Sequence, residues 1–163
     1  MILKGCVAHV QSLRSPGGAV TAKIFWRINI LALHGSGTGA DPSISEVTMR
    51  EGASSDNLAV GGVARASSSY GSSYAPDKAF DGLPSTFWAS GSTRPAWLSY
   101  ELTQAASINV VTIRSRPDSW APTQSPKDFK IQSSEDGISW TDEWEVLDEP
   151  EWAVGETRTF NRP

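Results

Sequence analysis

Residues 75–90 read Ala-Pro-Asp-Lys-Ala-Phe-Asp-Gly-Leu-Pro-Ser-Thr-Phe-Trp-Ala-Ser, a stretch that combines core-type aromatic residues with closely spaced oxygen donors. Asp81 supplies a carboxylate and Thr86 supplies a hydroxyl and a carbonyl, while Gly82 and Pro84 turn the backbone between them. Several oxygens can then face one centre, which is the chemistry of a calcium loop. The spacing is not that of an EF-hand, and an Asp-Gly turn before a buried Trp would explain the same residues. Spacing alone leaves both interpretations open.

Three downstream segments extend the pattern of residues 79–82 and 85–88. They read Pro-Ala-Trp-Leu-Ser-Tyr-Glu-Leu at 95–102, Ser-Pro-Lys-Asp-Phe-Lys-Ile at 125–131 and Ser-Glu-Asp-Gly-Ile-Ser-Trp at 134–140. In this order the segments resemble the discoidin, or F5/8 type C, domain family, which includes carbohydrate-binding modules and fucose-binding lectins. The resemblance implies an all-β fold, an antiparallel jelly-roll β-sandwich of about eight strands.

The beginning of the chain suggests a change in the order of the strands. Residues 23–33 alternate between two sets of side chains and predict a strand, and residues 44–50 predict a second, shorter one. In most members of the family, segments similar to these close the domain, whereas here they precede the 75–90 stretch. The sequence therefore predicts a circularly permuted domain, in which the strand of residues 24–33 pairs with that of residues 156–160 or with its sheet neighbour.

The organisation expected from the sequence is one sandwich domain, residues 23–163, preceded by an arm and linker, residues 1–22. The composition is that of an ordinary globular protein, with 39% hydrophobic and 20% charged residues. The arm has few apolar residues and carries the chain breaker Ser-Pro-Gly-Gly at 15–18. We expect it to pack on a partner chain, either another copy in a homo-oligomer or a virion shell protein.

The charge, the single cysteine and the hydrophobicity of the chain argue against nucleic acid, a disulfide and a membrane anchor. The net charge of −4 and the lack of a Lys/Arg cluster argue against nucleic acid. A single cysteine, Cys6, rules out an intrachain disulfide. No apolar segment precedes Cys6, so neither a signal peptide nor lipidation is expected, and no run of about 18 apolar residues predicts membrane insertion.

The family resemblance implies a structural Ca²⁺ ion. Carried over residue by residue, its ligands would be carbonyls, carboxylates and a hydroxyl: the carbonyls of Ser45, Lys78 and Leu83, the carboxylates of Glu46 and Asp81, and both oxygens of Thr86. Glu46 stands on a strand otherwise lined by Ile44 and Val47, and burying a carboxylate there requires a compensating charge. The alternative is an exposed Glu46 beside an empty turn.

A second site implied by the resemblance would bind a glycan. Arg116 matches the sugar-contacting Arg of the family, but Ala89 follows Trp88 where galactose-type members carry a His, and Pro122 replaces an expected Asn. Four aromatic residues lie in predicted loops. They could stack on a sugar, or anchor a protein interface, because Trp, Tyr and Arg dominate binding hot spots, or they could be merely structural. They are Tyr70, Tyr74, Trp120 and Trp152.

The sequence does not predict an enzyme. His9 and His34 stand near no nucleophile motif, and Cys6 has no activating neighbour. The acidic residues of 142–151 are interpreted as a solvated strand edge that discourages edge pairing, rather than as glycosidase carboxylates.

Two functions remain open. The favoured one is a calcium-stabilised structural, decoration or attachment component of a phage virion acting through protein–protein contacts, because the domain is similar to those of small bacteriophage and prophage proteins. The alternative is an adhesin module that binds a cell-surface glycan or receptor. The expected location is the virion or the extracellular space.

Overall fold

The structure of the protein is a computed structural model that describes residues 21–35, 41–91 and 94–163. These residues form ten strands, two 3-10 helices at Ser72–Tyr74 and Pro76–Ala79, and one short α-helix, α1 (Ala121–Gln124). The strands are β1 (Lys23–Leu33), β2 (Ser43–Ile44), β3 (Glu46–Arg50), β4 (Val63–Ala66), β5 (Trp88–Ala89), β6 (Ala96–Ala106), β7 (Val110–Arg114), β8 (Pro126–Ser134), β9 (Thr141–Val146) and β10 (Thr157–Asn161).

The strands pair antiparallel in three sheets. The largest has the order β4-β6-β1-β8-β9, the second has the order β10-β7-β3, and β2 pairs with β5 in a short two-stranded sheet. The prediction of an all-β antiparallel sandwich is confirmed.

The alternation predicted for residues 23–33 is the reason that β1 lies at the centre of the five-stranded sheet. Trp26, Ile28 and Ile30 are fully buried, whereas Arg27 and Asn29 point to the other face. Burying such an apolar side chain contributes about 1.5–3 kcal/mol. β1 is therefore a main contributor to the stability of this sheet.

One core joins the sheets. Buried residues from β1, β3, β6, β7, β8 and β10 belong to a single apolar cluster. Phe129 of β8 and Phe160 of β10 meet edge to face, with ring centroids 5.0 Å apart, and so connect the five-stranded and three-stranded sheets. The segment before residue 51 and the rest of the chain therefore share the same core.

The expected pairing between the strand of residues 24–33 and that of residues 156–160 is wrong. β1 pairs with β6 and β8, whereas β10 pairs with β7 in the other sheet. The two strands face each other across the core because Phe160 of β10 packs on Phe129, the residue beside Ile30 of β1.

The acidic segment 142–151 is only partly a solvated edge. Asp142 pairs with Lys130, Glu143 with Arg162 and Glu149 with Arg158, while Glu145 is exposed. The side chains of Glu143 and Glu149 are 10% and 18% exposed. The prediction was wrong for Glu143 and Glu149 because Arg158 of β10 and Arg162, just after β10, pair with them, which a pattern along one strand does not reveal.

The arm predicted for residues 1–22 lies outside the described residues except for Thr21 and Ala22. Its packing on a partner stays a prediction. No described helix is long and apolar enough to cross a membrane.

The turn between β8 and β9 depends on an exposed carboxylate. Asp136 accepts hydrogen bonds from the backbone N–H groups of Ser139 (2.7 Å) and Ile138 (2.8 Å) and from the hydroxyl of Ser134 (2.9 Å), while Gly137 takes a left-handed φ of 71°. The backbone hydrogen bonds from Ser139 and Ile138, with that from Ser134, lower the pKa of Asp136 from 3.8 to about 2.

We expect Asp136→Asn to lower the melting temperature at neutral pH. Because the pKa of Asp136 is lower in the folded state, its stabilising effect is present above the unfolded-state pKa and is lost as the pH falls through the folded-state pKa. The difference in melting temperature between wild type and variant should therefore shrink between about pH 4 and pH 2. Thermal melts across this range test the expectation, and a constant difference would contradict it.

Candidate functional site

The predicted calcium residues converge at the loop of residues 78–86. The loop leaves the 3-10 helix Pro76–Ala79, turns at Gly82 with a φ of 74°, and returns to β5. The hydroxyl oxygen of Thr86 lies 2.9 Å from both carboxylate oxygens of Asp81, 2.9 Å from the carbonyl of Leu83 and 3.4 Å from that of Lys78. A hydroxyl donates one hydrogen only, so most of these acceptors surround Thr86 without receiving its proton.

Ser45 and Glu46 approach the same loop from the junction of β2 and β3. The Ser45 hydroxyl lies 2.8 Å from the carbonyl oxygen of Thr86, to which it donates, and 3.2 Å from that of Pro84. The Ser45 backbone N–H donates to the carbonyl oxygen of Arg114 in β7. The predicted role of Ser45 was its carbonyl, whereas the contact shown here is made by its hydroxyl. The Thr86 carbonyl, also a predicted ligand, accepts from this hydroxyl.

Glu46 brings a second carboxylate to the loop. Burial, together with the hydrogen bond and the charge of the neighbouring Asp81 carboxyl, raises the pKa of Glu46 to about 7, although hydrogen bonds from the backbone N–H groups of Leu83 and Gly82 oppose the shift. The Oε1 atom of Glu46 is buried and has no hydrogen-bond partner. The Lys78 ammonium offers Asp81 partial compensation, since its Nζ lies 3.9 Å from Asp81 Oδ2, but it lies closer to Asp77, at 3.3 Å.

This set of donors fits a hard divalent cation. Every candidate atom is an oxygen, as Ca²⁺ prefers. The described residues contain no group of three or more His, Cys, Asp or Glu side chains that could hold a metal ion, so backbone carbonyls and the Thr86 hydroxyl would have to complete the set of ligands. A cation at this loop would pair the buried Glu46 oxygen and relieve the repulsion between the two carboxylates. Its chemistry would be structural, because it would tie the β2–β3 junction to the loop before β5.

A second feature is a pocket of about 300 Å³ formed by three connections between strands. Aromatic and polar side chains line it, and the predicted residues Tyr70, Tyr74, Arg116 and Trp120 are among them. The remaining lining residues are Asp41, Phe87, Ala89, Ser90 and Gln124. Its volume is at the small end of ligand pockets, which range over roughly 300–1,000 Å³.

Aromatic rings form much of the wall. Tyr70 and Tyr74 meet edge to face, with an interplanar angle of 76° and centroids 5.9 Å apart, and Tyr74 also packs on Phe87 at 5.0 Å. Tyr70 is 70% exposed and Trp120 is 56% exposed. Large rings left in solvent on a pocket rim are available for stacking on a ligand.

Arg116 lies in this wall with its charge already paired. Its guanidinium carbon lies 4.2 Å from the Phe87 ring centroid, one terminal nitrogen donates to Gln124, and the other donates to Asp118 at 2.6 Å. Burial would raise the pKa of Asp118, but hydrogen bonds from Arg116 and from the Trp120 N–H, with the charge of Arg116, lower it below its usual value. The Nε atom of Arg116 is buried without a hydrogen-bond partner.

The expectation of an exposed ring at Trp152 is wrong. Trp152 is 1% exposed, its indole N–H donates to the carbonyl of Pro126 at 2.8 Å, and its ring packs against Phe160 and under Arg158. Trp152 is a core residue because the segment before β10 folds over β8. It cannot stack on a ligand in this structure.

Sequence reasoning missed Phe87 and Asp41 as pocket residues. Phe87 directly precedes Trp88, which is fully buried in β5. Successive side chains of an extended segment point to opposite faces, so the burial of Trp88 could have placed Phe87 outside the core. Asp41 carried no such signal, because its position depends on how three separate connections come together.

The comparisons with known proteins agree with this fold. Residues 63–162 match the sequence model of a family described as F5/8 type C domain, and this segment is more than half of the 163-residue chain. No curated protein and no solved structure matches the chain.

Proposed function

The chain belongs to the F5/8 type C domain family, and we propose that it is a recognition module that binds a sugar in the pocket between Tyr70, Arg116 and Trp120. F5/8 type C domains are generally non-catalytic modules that bind carbohydrates, other ligands or proteins. The observation that carries the proposal is the pair of exposed rings, Tyr70 and Trp120, that line one half-open pocket.

The composition of the pocket supports a ligand of one sugar unit. Exposed rings can cover the apolar face of a pyranose, and the few polar groups of the wall, such as Asp41, can fix its orientation. A protein interface of ordinary size buries about 800 Å² on each partner, far more than this pocket offers. The pocket therefore favours a small ligand over a protein surface.

A glycan array with the purified protein tests the proposal, followed by titration calorimetry on the sugars that bind. Trp120→Ala should weaken binding at least about tenfold, whereas Ile138→Ala, which removes a still more exposed apolar side chain at the β8–β9 turn, should not change it. Absence of binding to every glycan, or equal binding by the two variants, would refute this function.

We also propose that Glu46, Asp81 and Thr86 hold a structural Ca²⁺ ion together with the carbonyls of Lys78 and Leu83. Two observations support this: the buried Glu46 oxygen without a partner, and the acceptor oxygens gathered around the Thr86 hydroxyl. The ion would stabilise the loop next to Phe87 and so hold one wall of the pocket in place.

Thermal melts should then depend on calcium. A ligand that binds only the folded state stabilises it by about 2.7 kcal/mol at 100 times its dissociation constant. We expect a higher melting temperature with calcium than with a chelator, and no difference for Asp81→Ala or Glu46→Gln. Asp56→Asn, at an exposed site elsewhere, is the matched control and should behave as wild type. Identical wild-type melts in both buffers would mean that the loop is an empty turn.

The circular permutation is a further part of the proposal. The matched segment, residues 63–162, contains β4, β6, β8 and β9 of the large sheet but not β1, which lies between β6 and β8. A domain of this family without its central strand would be incomplete, so the segment before residue 63 supplies that strand. This supports the interpretation that β1 has moved from the end of the domain to its beginning.

The role as a phage virion component stays a prediction from sequence resemblance. It depends on residues 1–22 binding a neighbouring chain, and only Thr21 and Ala22 of these are described. The pocket supports the adhesin-like alternative instead. A location on a virion or outside the cell is compatible with either function.

A further inference from the structure

The pocket differs from a typical sugar site in how few directional polar groups its wall retains. Ala89 and Pro122 stand where the family resemblance leads one to expect a His and an Asn. Ser90 lines the pocket but its hydroxyl is engaged with Ser68 at 2.7 Å, and Gln124 is engaged with Arg116. Ring faces and charge, rather than a network of hydrogen bonds, are therefore left to select the ligand.

The rings have the arrangement that favours a cation. Tyr70 and Tyr74 meet at 76° and form a corner of two ring planes, and Trp120 lines the same pocket with 56% of its surface exposed. The face of an aromatic ring carries negative potential, and several rings around one pocket attract an alkylated ammonium group. Trp is the strongest of the aromatic side chains in this interaction.

The charged side chains of the pocket also favour a cationic ligand. Arg116 is the one cationic side chain among the described lining residues, and its charge is met by Asp118 at 2.6 Å while its plane rests on Phe87. Each terminal nitrogen of Arg116 donates one hydrogen bond within the protein, to Gln124 or to Asp118, so part of its donor capacity is used and its charge is offset by the Asp118 carboxylate. Asp41 adds a carboxylate to the wall and gives the group of Arg116, Asp118 and Asp41 a net negative charge.

We infer that this pocket selects a ligand that carries an organic cation, an ammonium group on a choline-like alkyl chain or on an amino sugar. The inference rests on the proposed function, since it assigns a ligand class to the same pocket. The ammonium group would contact the rings of Tyr70, Tyr74 and Trp120, and the Asp41 carboxylate would compensate its charge. The net negative charge of the group formed by Arg116, Asp118 and Asp41 disfavours acidic sugars.

Titration calorimetry with matched pairs of probes tests this on the full chain. Choline is compared with 3,3-dimethylbutan-1-ol, which has the same shape and no charge, and D-glucosamine is compared with D-glucose. We expect the cationic member of at least one pair to bind about tenfold or more tightly than its neutral partner. The pair that shows the difference tells whether an alkylammonium or an amino sugar is the better ligand.

Variants of two pocket residues test whether the preference for a cationic ligand arises in this pocket. Asp41→Asn should reduce the preference for the cation several-fold, because it weakens binding of the cationic member more than binding of the neutral member, whereas Trp120→Ala should weaken both to a similar degree. Asp56→Asn removes an exposed carboxylate outside the pocket and is the matched control. Melting curves of all three variants verify that they are folded.

Equal affinity within both pairs would overturn the inference. If D-glucose or D-galactose then bound in a manner that depends on Trp120, the proposed sugar-binding function would stand and the cation preference alone would be wrong. If none of the probes and no glycan bound, both would be wrong. Tighter binding of an acidic sugar such as D-glucuronate than of D-glucose would also overturn the inference.

Discussion

A fragment of residues 63–163, which contains the whole segment matched by the family, is expected not to fold. It lacks β1, β2 and β3. The loss of β1 leaves β6 and β8 without their shared neighbour and takes Trp26, Ile28 and Ile30 out of the core. These three side chains alone account for roughly 5–9 kcal/mol at about 1.5–3 kcal/mol each. Typical domains are stable by only about 5–15 kcal/mol, so the loss is comparable with the total.

The matched control is the fragment of residues 22–163, which contains every described strand. We expect it to show a cooperative thermal transition and dispersed amide resonances, whereas fragment 63–163 shows neither. A cooperative transition in fragment 63–163 would mean that β1 is an accessory strand and would remove the main support for the permutation. Sedimentation of fragment 22–163 beside the full chain would also show whether the first 21 residues are needed for self-association.

Replacement of Arg158 by Ala is expected to destabilise the fold by about 3 kcal/mol, the lower end of the cost of breaking a buried ion pair. The Arg158 side chain is 16% exposed and bonds to Glu149 (2.9 Å), Glu156 (2.8 Å) and the carbonyls of Pro150 and Glu151 (2.7 Å each). Without it, two carboxylates and two carbonyls lose their donor.

Arg158 also holds Trp152 in the core. Its guanidinium carbon lies 4.3 Å from the Trp152 ring centroid, so its loss removes packing as well as charge. Arg65→Ala is the control, because Arg65 pairs with Glu101 at 2.8 Å but is 52% exposed, and such surface pairs contribute about 0–1 kcal/mol. Urea unfolding of both variants tests the difference. Equal and small effects would show that the segment 149–156 is held by packing alone.

Local patterns predicted the strands well because each strand carries its own signal. The alternation in residues 23–33 depends on neighbours in the chain, and it is found as β1. The position of β1 in the sheet was predicted less well, since pairing depends on residues more than 60 positions away, such as Trp97 and Lys130.

The candidate calcium loop and the pocket show the same contrast: residues close together in the sequence were predicted, whereas some residues from distant parts of the chain were not. The oxygen donors of residues 78–86 are close in sequence, so a loop that gathers them could be predicted, and Glu46 and Ser45 entered only through the family resemblance. In the pocket, Tyr70, Tyr74, Arg116 and Trp120 were predicted, but Asp41 and Phe87 were not. Trp152 was placed wrongly because a Trp after a Pro-Glu run looks like a loop residue, while its burial depends on Arg158 and Phe160.

The central claim is that the pocket between three strand connections is the binding site, and a nuclear magnetic resonance titration tests it most directly. The isotope-labelled protein is titrated with D-galactose, D-glucosamine and choline, and the amide and Trp indole signals are followed. We predict that at least one of these ligands shifts the Trp120 indole signal and the amides of residues 70–74 and 116–124, and leaves the buried Trp26 indole unchanged. Saturable shifts confined to another surface, or no shifts at Trp120 with any of the three, would contradict the account.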